Sequence, residues 1–201
     1  MRADEGIMDK KEIVFFFDTL SPLWDGMNKR NERVIKTLLD NARIDDNCSV
    51  LDVATGTGVL ISDYLSRKVK QVVAIDSSAG MIKKAQAKFN QEEVTFYTSD
   101  VIEFESKTLF DRIVIYNAFP HFDEGLKVLE HLNTLLSKEG IITIAHGQSR
   151  DKTNACHHKI SHTLSKELPP LEELCKLVSS IFEVTDSISD DEMYQIVAKK
   201  R

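Results

Sequence analysis

Apolar positions along this chain repeat first with a helical period and then, from about residue 49, with strands and helices in alternation. Between Met8 and Asn41 the chain reads as helical. Phe16, Leu20, Leu23 and Trp24 fall near i, i+4, i+7 and i+8, the spacing of one helix face. Pro22 clashes with the carbonyls of a preceding helical turn, so Ser21-Pro22 breaks this helix. Val34, Ile35, Leu38 and Leu39 mark the face of another. Five short apolar runs then predict strands at Val50–Val53, Val72–Ile75, Val94–Tyr97, Ile113–Tyr116 and Ile141–Ala145. Helical stretches separate them at Val59–Ser66, Ala79–Phe89 and Gly125–Leu136, the last with Leu126, Leu129, Leu132 and Leu136 on one face. Such alternation predicts a parallel sheet with helices on both faces and right-handed crossovers. After Leu168-Pro169-Pro170 comes a helix at Leu171–Ile181. Strands at Phe182–Ile188 and Glu192–Ala198 follow, joined too closely for a crossover helix, so they pair antiparallel. The expected fold is α/β and Rossmann-like: seven strands, mostly parallel, an antiparallel last strand and an N-terminal helical cap.

One strand-to-helix junction carries the sharpest chemical signal. Val50-Leu51-Asp52-Val53 runs into Ala54-Thr55-Gly56-Thr57-Gly58 and then a helix. Gly56 and Gly58 allow backbone angles closed to other residues and let a ligand approach the main chain. The helix start offers unpaired N–H groups, which suit a carboxylate or a phosphate equally. By itself the motif also fits a tight turn with no ligand. Two more strands end in acids, Asp76 and Asp100. Asp76 is placed to accept hydrogen bonds from both hydroxyls of a ribose, or to cap the helix that holds Met81. Three acids on one rim of the sheet mark the edge where open α/β folds bind ligands.

In these motifs the chain resembles the class I S-adenosylmethionine-dependent methyltransferases. Asp52-Val-Ala-Thr-Gly-Thr-Gly is similar to their first motif, and Phe110-Asp-Arg-Ile-Val-Ile-Tyr-Asn117 to their fourth. Leu135-Leu-Ser-Lys-Glu-Gly-Ile-Ile142 resembles the helix-turn-strand that follows it. The resemblance covers roughly residues 48–147. It implies S-adenosylmethionine as cofactor, Asp76 on its ribose and Asp100 on its adenine amino group. Asp52, Ala54, Thr55, Gly56 and Gly58 belong to the same implied site, as do Ser77, Met81, Val101, Asn117 and Trp24. The segment Phe17-Asp-Thr-Leu-Ser-Pro-Leu-Trp-Asp-Gly-Met-Asn28 resembles the opening segment of the ubiquinone and menaquinone C-methyltransferases. Their Gly-Leu-Arg-Asn stretch after the fourth strand is replaced here by Ala118-Phe-Pro-His-Phe122. A NAD-dependent oxidoreductase is the rival enzyme reading, opposed by Ile61 at the position of a third glycine. A non-catalytic nucleoside-binding or metal-sensing module is the other alternative. The chain is read as one domain: a cap at 1–47, a cofactor-binding core at 48–147, and a substrate-side segment with the terminal hairpin at 148–201.

The acceptor side is expected from histidines. His121 follows the fourth strand, His146 ends the fifth, and His157 lies in the segment after it. Their catalytic reading is a general base, because neutral imidazole suits proton transfer near pH 7. Hydrogen-bonded loop residues are the plain alternative. Phe17, Arg150 and Asn154 are the substrate-binding candidates, Arg150 as a partner for an anion or an ordinary surface residue. His158 and His162, i and i+4 on a possible helix, could share a metal, but spacing fixes no third ligand and no metal site is assigned. Phe15, Phe16, Phe17 and Trp24 form a lid or simply packing for the sheet.

Charge and composition narrow the partner. The net charge of -6 disfavours nucleic acid, whose phosphates demand Lys and Arg. Three cysteines without CxxC spacing suggest reduced thiols rather than a disulfide framework. Acids in Met1-Arg-Ala-Asp-Glu-Gly6 do not resemble a signal peptide, and no apolar run approaches the roughly 18 residues of a membrane span. The expectation is a cytoplasmic enzyme acting on a small molecule, away from membranes; the sequence leaves its oligomeric state open.

Overall fold

In chain order the elements are α1 (Lys10–Leu20), α2 (Trp24–Met27), α3 (Glu32–Asn41), β1 (Ser49–Val53), α4 (Ile61–Ser66), β2 (Gln71–Asp76), α5 (Ala79–Lys88) and β3 (Val94–Thr98). Then come β4 (Phe110–Tyr116), α6 (Gly125–Leu135), β5 (Leu136–His146), α7 (Arg150–Ile160), α8 (Leu171–Ser179), β6 (Phe182–Ser189) and β7 (Tyr194–Lys200), with a 3-10 turn at Phe119–His121 after β4. The computed structural model describes residues 9–27, 30–160 and 165–201, the side chains of 158–160 excepted. No helix among the described residues is long and apolar enough to cross a membrane.

The seven strands form one sheet in the order β3-β2-β1-β4-β5-β7-β6. The five strands β3, β2, β1, β4 and β5 run parallel, and β7 lies antiparallel between β5 and β6. Strand order reverses between β1 and β4, and the crevice beyond their C-terminal ends is where such sheets take ligands. Side chains alternate across the sheet with period two. Leu51, Val53, Val73, Ile75, Ile113 and Ile115 face α6 and α8. Val50, Val72, Ala74 and Val114 face Ile35 and Leu39 of α3 and Leu60, Ile61 and Tyr64 at α4.

Local chemistry sets the helix ends and corrects several sequence expectations. The first helical stretch divides into three. Asp9 and Glu12 form a reciprocal capping box that starts α1, and Asn31 caps α3. The buried residue of α1 is Ile13, whereas Leu23, expected on the inner face, is 64% exposed. Pro22 ends the α1 register, so positions beyond it leave that face. Helix α4 begins at Ile61 rather than Val59, because Gly58 and its neighbours are spent in the turn. On α6 the buried stripe is Val128, Leu129, Leu132 and Leu135, with Leu126 exposed and Leu136 already in β5.

Candidate functional site

The strand ends build a loop-lined rim whose acids play different parts. Asp52, at the penultimate position of β1, is 2% exposed. Its carboxylate accepts the Thr55 hydroxyl at 2.6 Å and the Tyr64 hydroxyl at 3.1 Å. Burial pushes its pKa up to about 7 against those two hydrogen bonds. Asp52 and Thr55 therefore brace the glycine loop from beneath. The loop itself requires left-handed backbone at Ala54, Gly56 and Gly58 (φ +55°, +57° and +81°). A Cβ on Gly56 would meet only Trp24 Nε1, at 4.0 Å, so its main chain borders open space roofed by the indole. Gly58 is packed instead, against Ile61 and Phe89.

Asp76 ends β2 and receives two backbone donors, Gly56 N–H and Ser78 N–H, each at 2.8 Å. Burial lifts it to about 6, opposed by those amides. The helix cap is Ser78, which accepts Met81 N–H at 3.1 Å, so Asp76 is spared that task. Met81 is buried beneath it. Asp100 lies just past β3, where Lys10 of α1 pairs with it at 2.9 Å and Ile102 N–H donates at 2.9 Å. Ala54, Asp76, Ser77, Asp100 and Val101 line one crevice together with Phe122. These five are sequence-expected cofactor residues. Phe122 was not among the site candidates, although it lies in the quoted Ala118–Phe122 stretch. The glycine cradle, the acid pair and the indole fit an adenosyl group. Asn117, with φ +54°, turns its side-chain oxygen to Gly147 N–H at 2.9 Å and so ties the end of β4 to that of β5.

The cap reaches this rim at three points. Lys10 holds Asp100, as above. Asp18 accepts the Ser78 hydroxyl at 2.6 Å and Gly80 N–H at 2.8 Å, at the start of α5. Asp25 accepts the Thr57 hydroxyl at 2.5 Å and pairs with Lys88 at 2.8 Å. Burial raises the Asp25 pKa, but Lys88 and Thr57 outweigh it and hold the group below its usual value. Lys10, Asp18 and Asp25 were not expected as site residues; the Asp9–Glu12 capping box, which starts α1 at Lys10, is the signal that places Lys10 on the cap.

The histidine side is contiguous with the cap. Phe17 stands edge-on to Trp24 (centroids 5.4 Å) and to His121 (5.2 Å), and His121 lies 5.2 Å from His157. The Ser165 hydroxyl sits 2.8 Å from His157 Nδ1. His146 closes β5, 1% exposed, its ring edge-on to Tyr194 at 6.1 Å and its Nε2 without a hydrogen-bond partner. Burial, aided by His157 and His121, drives its pKa down to about 3. Burial thus favours the neutral ring of His146.

Arg150 and Asn154, the expected substrate-binding residues, bond the backbone at Leu168. Arg150 Nε donates to Leu168 O at 2.9 Å. The Asn154 amide brackets the same residue, accepting Leu168 N–H at 2.8 Å and donating to Leu168 O at 3.2 Å. Both pin the chain ahead of α8, and a buried backbone pair needing partners explains it. The His158–His162 pair lies outside the residues whose side chains are described.

Comparison with known proteins agrees with this geometry. The family pattern described as a methyltransferase domain matches residues 44–201. The malonyl-[acyl-carrier protein] O-methyltransferase of Acetivibrio thermocellus is 26% identical over 178 residues, 84% of this chain; the chain spans 62% of that protein's length. The ubiquinone/menaquinone biosynthesis C-methyltransferase of Campylobacter jejuni is 25% identical over 165 residues, 72% of this chain and 68% of that one. Among solved structures, magnesium protoporphyrin IX methyltransferase from Synechocystis, with bound S-adenosylhomocysteine, superposes with a TM-score of 0.73 at 15% identity, covering 96% of this chain and 100% of that one. With 158 of its 201 residues under one family pattern, this chain belongs to the methyltransferase-domain family.

Proposed function

We propose that this chain transfers a methyl group from S-adenosylmethionine to a small-molecule acceptor. The observation that carries the reading is the crevice in which Ala54, Asp76, Ser77 and Asp100 meet, next to a glycine turn whose Gly56 borders Trp24. S-adenosylmethionine, the cofactor of this reading, supplies a methyl group already activated by a sulfonium. The chain's own contribution is alignment and proton management. Asp76 takes the ribose hydroxyls while its backbone donors hold it in place. Asp100 takes the adenine amino group. Gly56 lets the main chain approach, and Trp24 with Phe17 excludes water. On the acceptor side His157, steadied by Ser165 and His121, takes the acceptor's proton; His146 does not.

A nicotinamide dinucleotide fits less well, because Ile61, where a third glycine would stand, is fully buried in the first turn of α4. A small, uncharged or weakly charged acceptor suits a chain of net charge -6 better than nucleic acid does. Three free thiols support a reducing, cytoplasmic setting. Calorimetry of the full chain with S-adenosylmethionine, S-adenosylhomocysteine and NAD tests the reading. Binding of the first two and not the third is expected, together with acceptor-dependent release of S-adenosylhomocysteine. Binding of NAD alone would overturn it.

A further inference from the structure

Three cations of the acceptor-side segment are held by backbone carbonyls. Arg150 is held by Leu168 O and Asp151, Lys152 by Asp191 O, and Lys166 by Asp123 O. Asp76 and Asp100 face the cofactor crevice with partners of their own. What meets at the ends of β4 and β5 is aromatic: Phe17, His121 and His157 in succession, Trp24 beside Phe17. Against this cluster lies His146, buried, with an orphaned Nε2.

An orphaned buried nitrogen costs stability, and an apolar ring of the same shape would avoid that cost. A native chain that keeps one calls for an explanation, and a ligand is a common one. The nitrogen sits on the last residue of β5, on the edge of the sheet that carries the cofactor crevice.

Resting on the methyl-transfer reading above, we propose that His146 Nε2 hydrogen-bonds the acceptor and that the acceptor is an uncharged aromatic hydroxyl compound. The described contacts place the rings of Phe17, His121 and His157 beside one another, whereas the cations Arg150, Lys152 and Lys166 are each held by a backbone carbonyl. The aromatic walls suit a ring, since edge-to-face partners at 4.5–7 Å attract. A phenolic hydroxyl has a pKa near that of tyrosine, about 10, so its proton has to leave as the methyl arrives. The phenolic oxygen gives a lone pair to the methyl carbon, and the carbon–sulfur pair returns to sulfur, leaving a neutral thioether. The hydroxyl proton passes to neutral His157 and from there to water. His146, with its proton on Nε2, donates to the same oxygen and fixes its lone pair in line.

Three probes with one ring system and different charge test this: 2-naphthol, 2-naphthoate and 2-naphthylmethylammonium. Each is titrated calorimetrically into the full chain saturated with S-adenosylhomocysteine. Naphthol should bind at least about tenfold more tightly than either charged probe, and with S-adenosylmethionine it should gain the mass of one methyl group. His146→Phe should raise the thermal midpoint by removing the orphan, while weakening naphthol several-fold to tenfold, the worth of a neutral hydrogen bond. His146→Gln, which keeps a polar atom, should recover part of that affinity. S-adenosylhomocysteine affinity should stay unchanged in both variants. The proposal is overturned if a charged probe binds as well as naphthol, if none of the three binds, or if His146→Phe leaves naphthol affinity intact. Should S-adenosylhomocysteine itself fail to bind the unmodified chain, the methyl-transfer reading falls first and this one with it.

Discussion

Asp52 makes the strongest prediction about stability. It is enclosed at the end of β1, and its carboxylate is reached only by two hydroxyls, those of Thr55 and Tyr64. Its pKa rises from 3.8 to about 7 on folding, mainly through burial. A carboxyl group that holds its proton more tightly in the folded state makes folding less favourable as pH rises. Nothing is lost below pH 3.8, where both states are protonated; the penalty grows through the window from 3.8 to about 7 and is constant above it. At about 1.36 kcal/mol per pKa unit, three units amount to about 4 kcal/mol at pH 8, of which about 3 kcal/mol accrues between pH 5 and pH 8. Asn replaces the carboxylate with the same shape and no charge, and both hydroxyls can turn to donate to its oxygen or accept from its amide. The variant Asp52→Asn should therefore differ least from the parent chain near pH 5 and exceed it most at pH 8. For a chain of this size about 3 kcal/mol corresponds to a gap of about 6–12 °C in midpoint. Thermal unfolding of both proteins across pH 5–8 measures the gap directly, since other titrating groups are common to the pair. If the two midpoints move in parallel across that range, Asp52 is ionised in the folded chain and the elevation of its pKa by burial is wrong.

Other consequences concern the cofactor and its lid. Asp76→Ala should lower S-adenosylhomocysteine affinity tenfold or much more, because hydrogen bonds to a charged group contribute about 1.5–3 kcal/mol each; unchanged calorimetric affinity would remove the ribose role. Asp100→Ala should weaken the same binding while Cys48→Ala does not, since Cys48 is buried ahead of β1 with its thiol on Asp45 O; equal affinities in the two variants would contradict the rim assignment. Deleting residues 1–27 should leave a folded chain by circular dichroism with reduced cofactor affinity and faster dissociation in stopped flow, whereas full affinity would make the cap packing alone.

The cofactor half of the site was legible because its chemistry is written in local order. A strand, two glycines and an acid at each of three strand ends lie in one stretch, and the parallel topology brings those ends to one edge without further information. Short apolar runs likewise placed the strands, and the short link before β7 announced its antiparallel pairing. Asp76 was less legible in detail: the sequence offered it as a helix cap or a ribose ligand, and only the geometry hands the cap to Ser78. The acceptor half depends on long-range contacts that no spacing encodes. Arg150 and Asn154 read as polar residues facing a ligand, but a backbone segment 14–18 residues away claims them first. His146 looked equivalent to His121 and His157, and its burial alone separates a neutral hydrogen-bonding group from a base.

The cap joins these two halves, and its contacts explain how. Lys10, Asp18 and Asp25 each bind the loop after a different strand: β3, β2 and β1 in turn. Phe17, next to Asp18 on α1, reaches His121 in the turn after β4. With these contacts made, the cap lies against the loops that line the crevice of Asp76 and Asp100. Exposed ion pairs such as Lys10–Asp100 hold weakly, by less than about 1 kcal/mol, and an adenine amino group at Asp100 would take Lys10's place. Cofactor binding and cap position are then one equilibrium. Because Phe17 rides on the same helix as Lys10, that equilibrium also sets when the acceptor's aromatic wall is in place, which favours loading the cofactor before the acceptor.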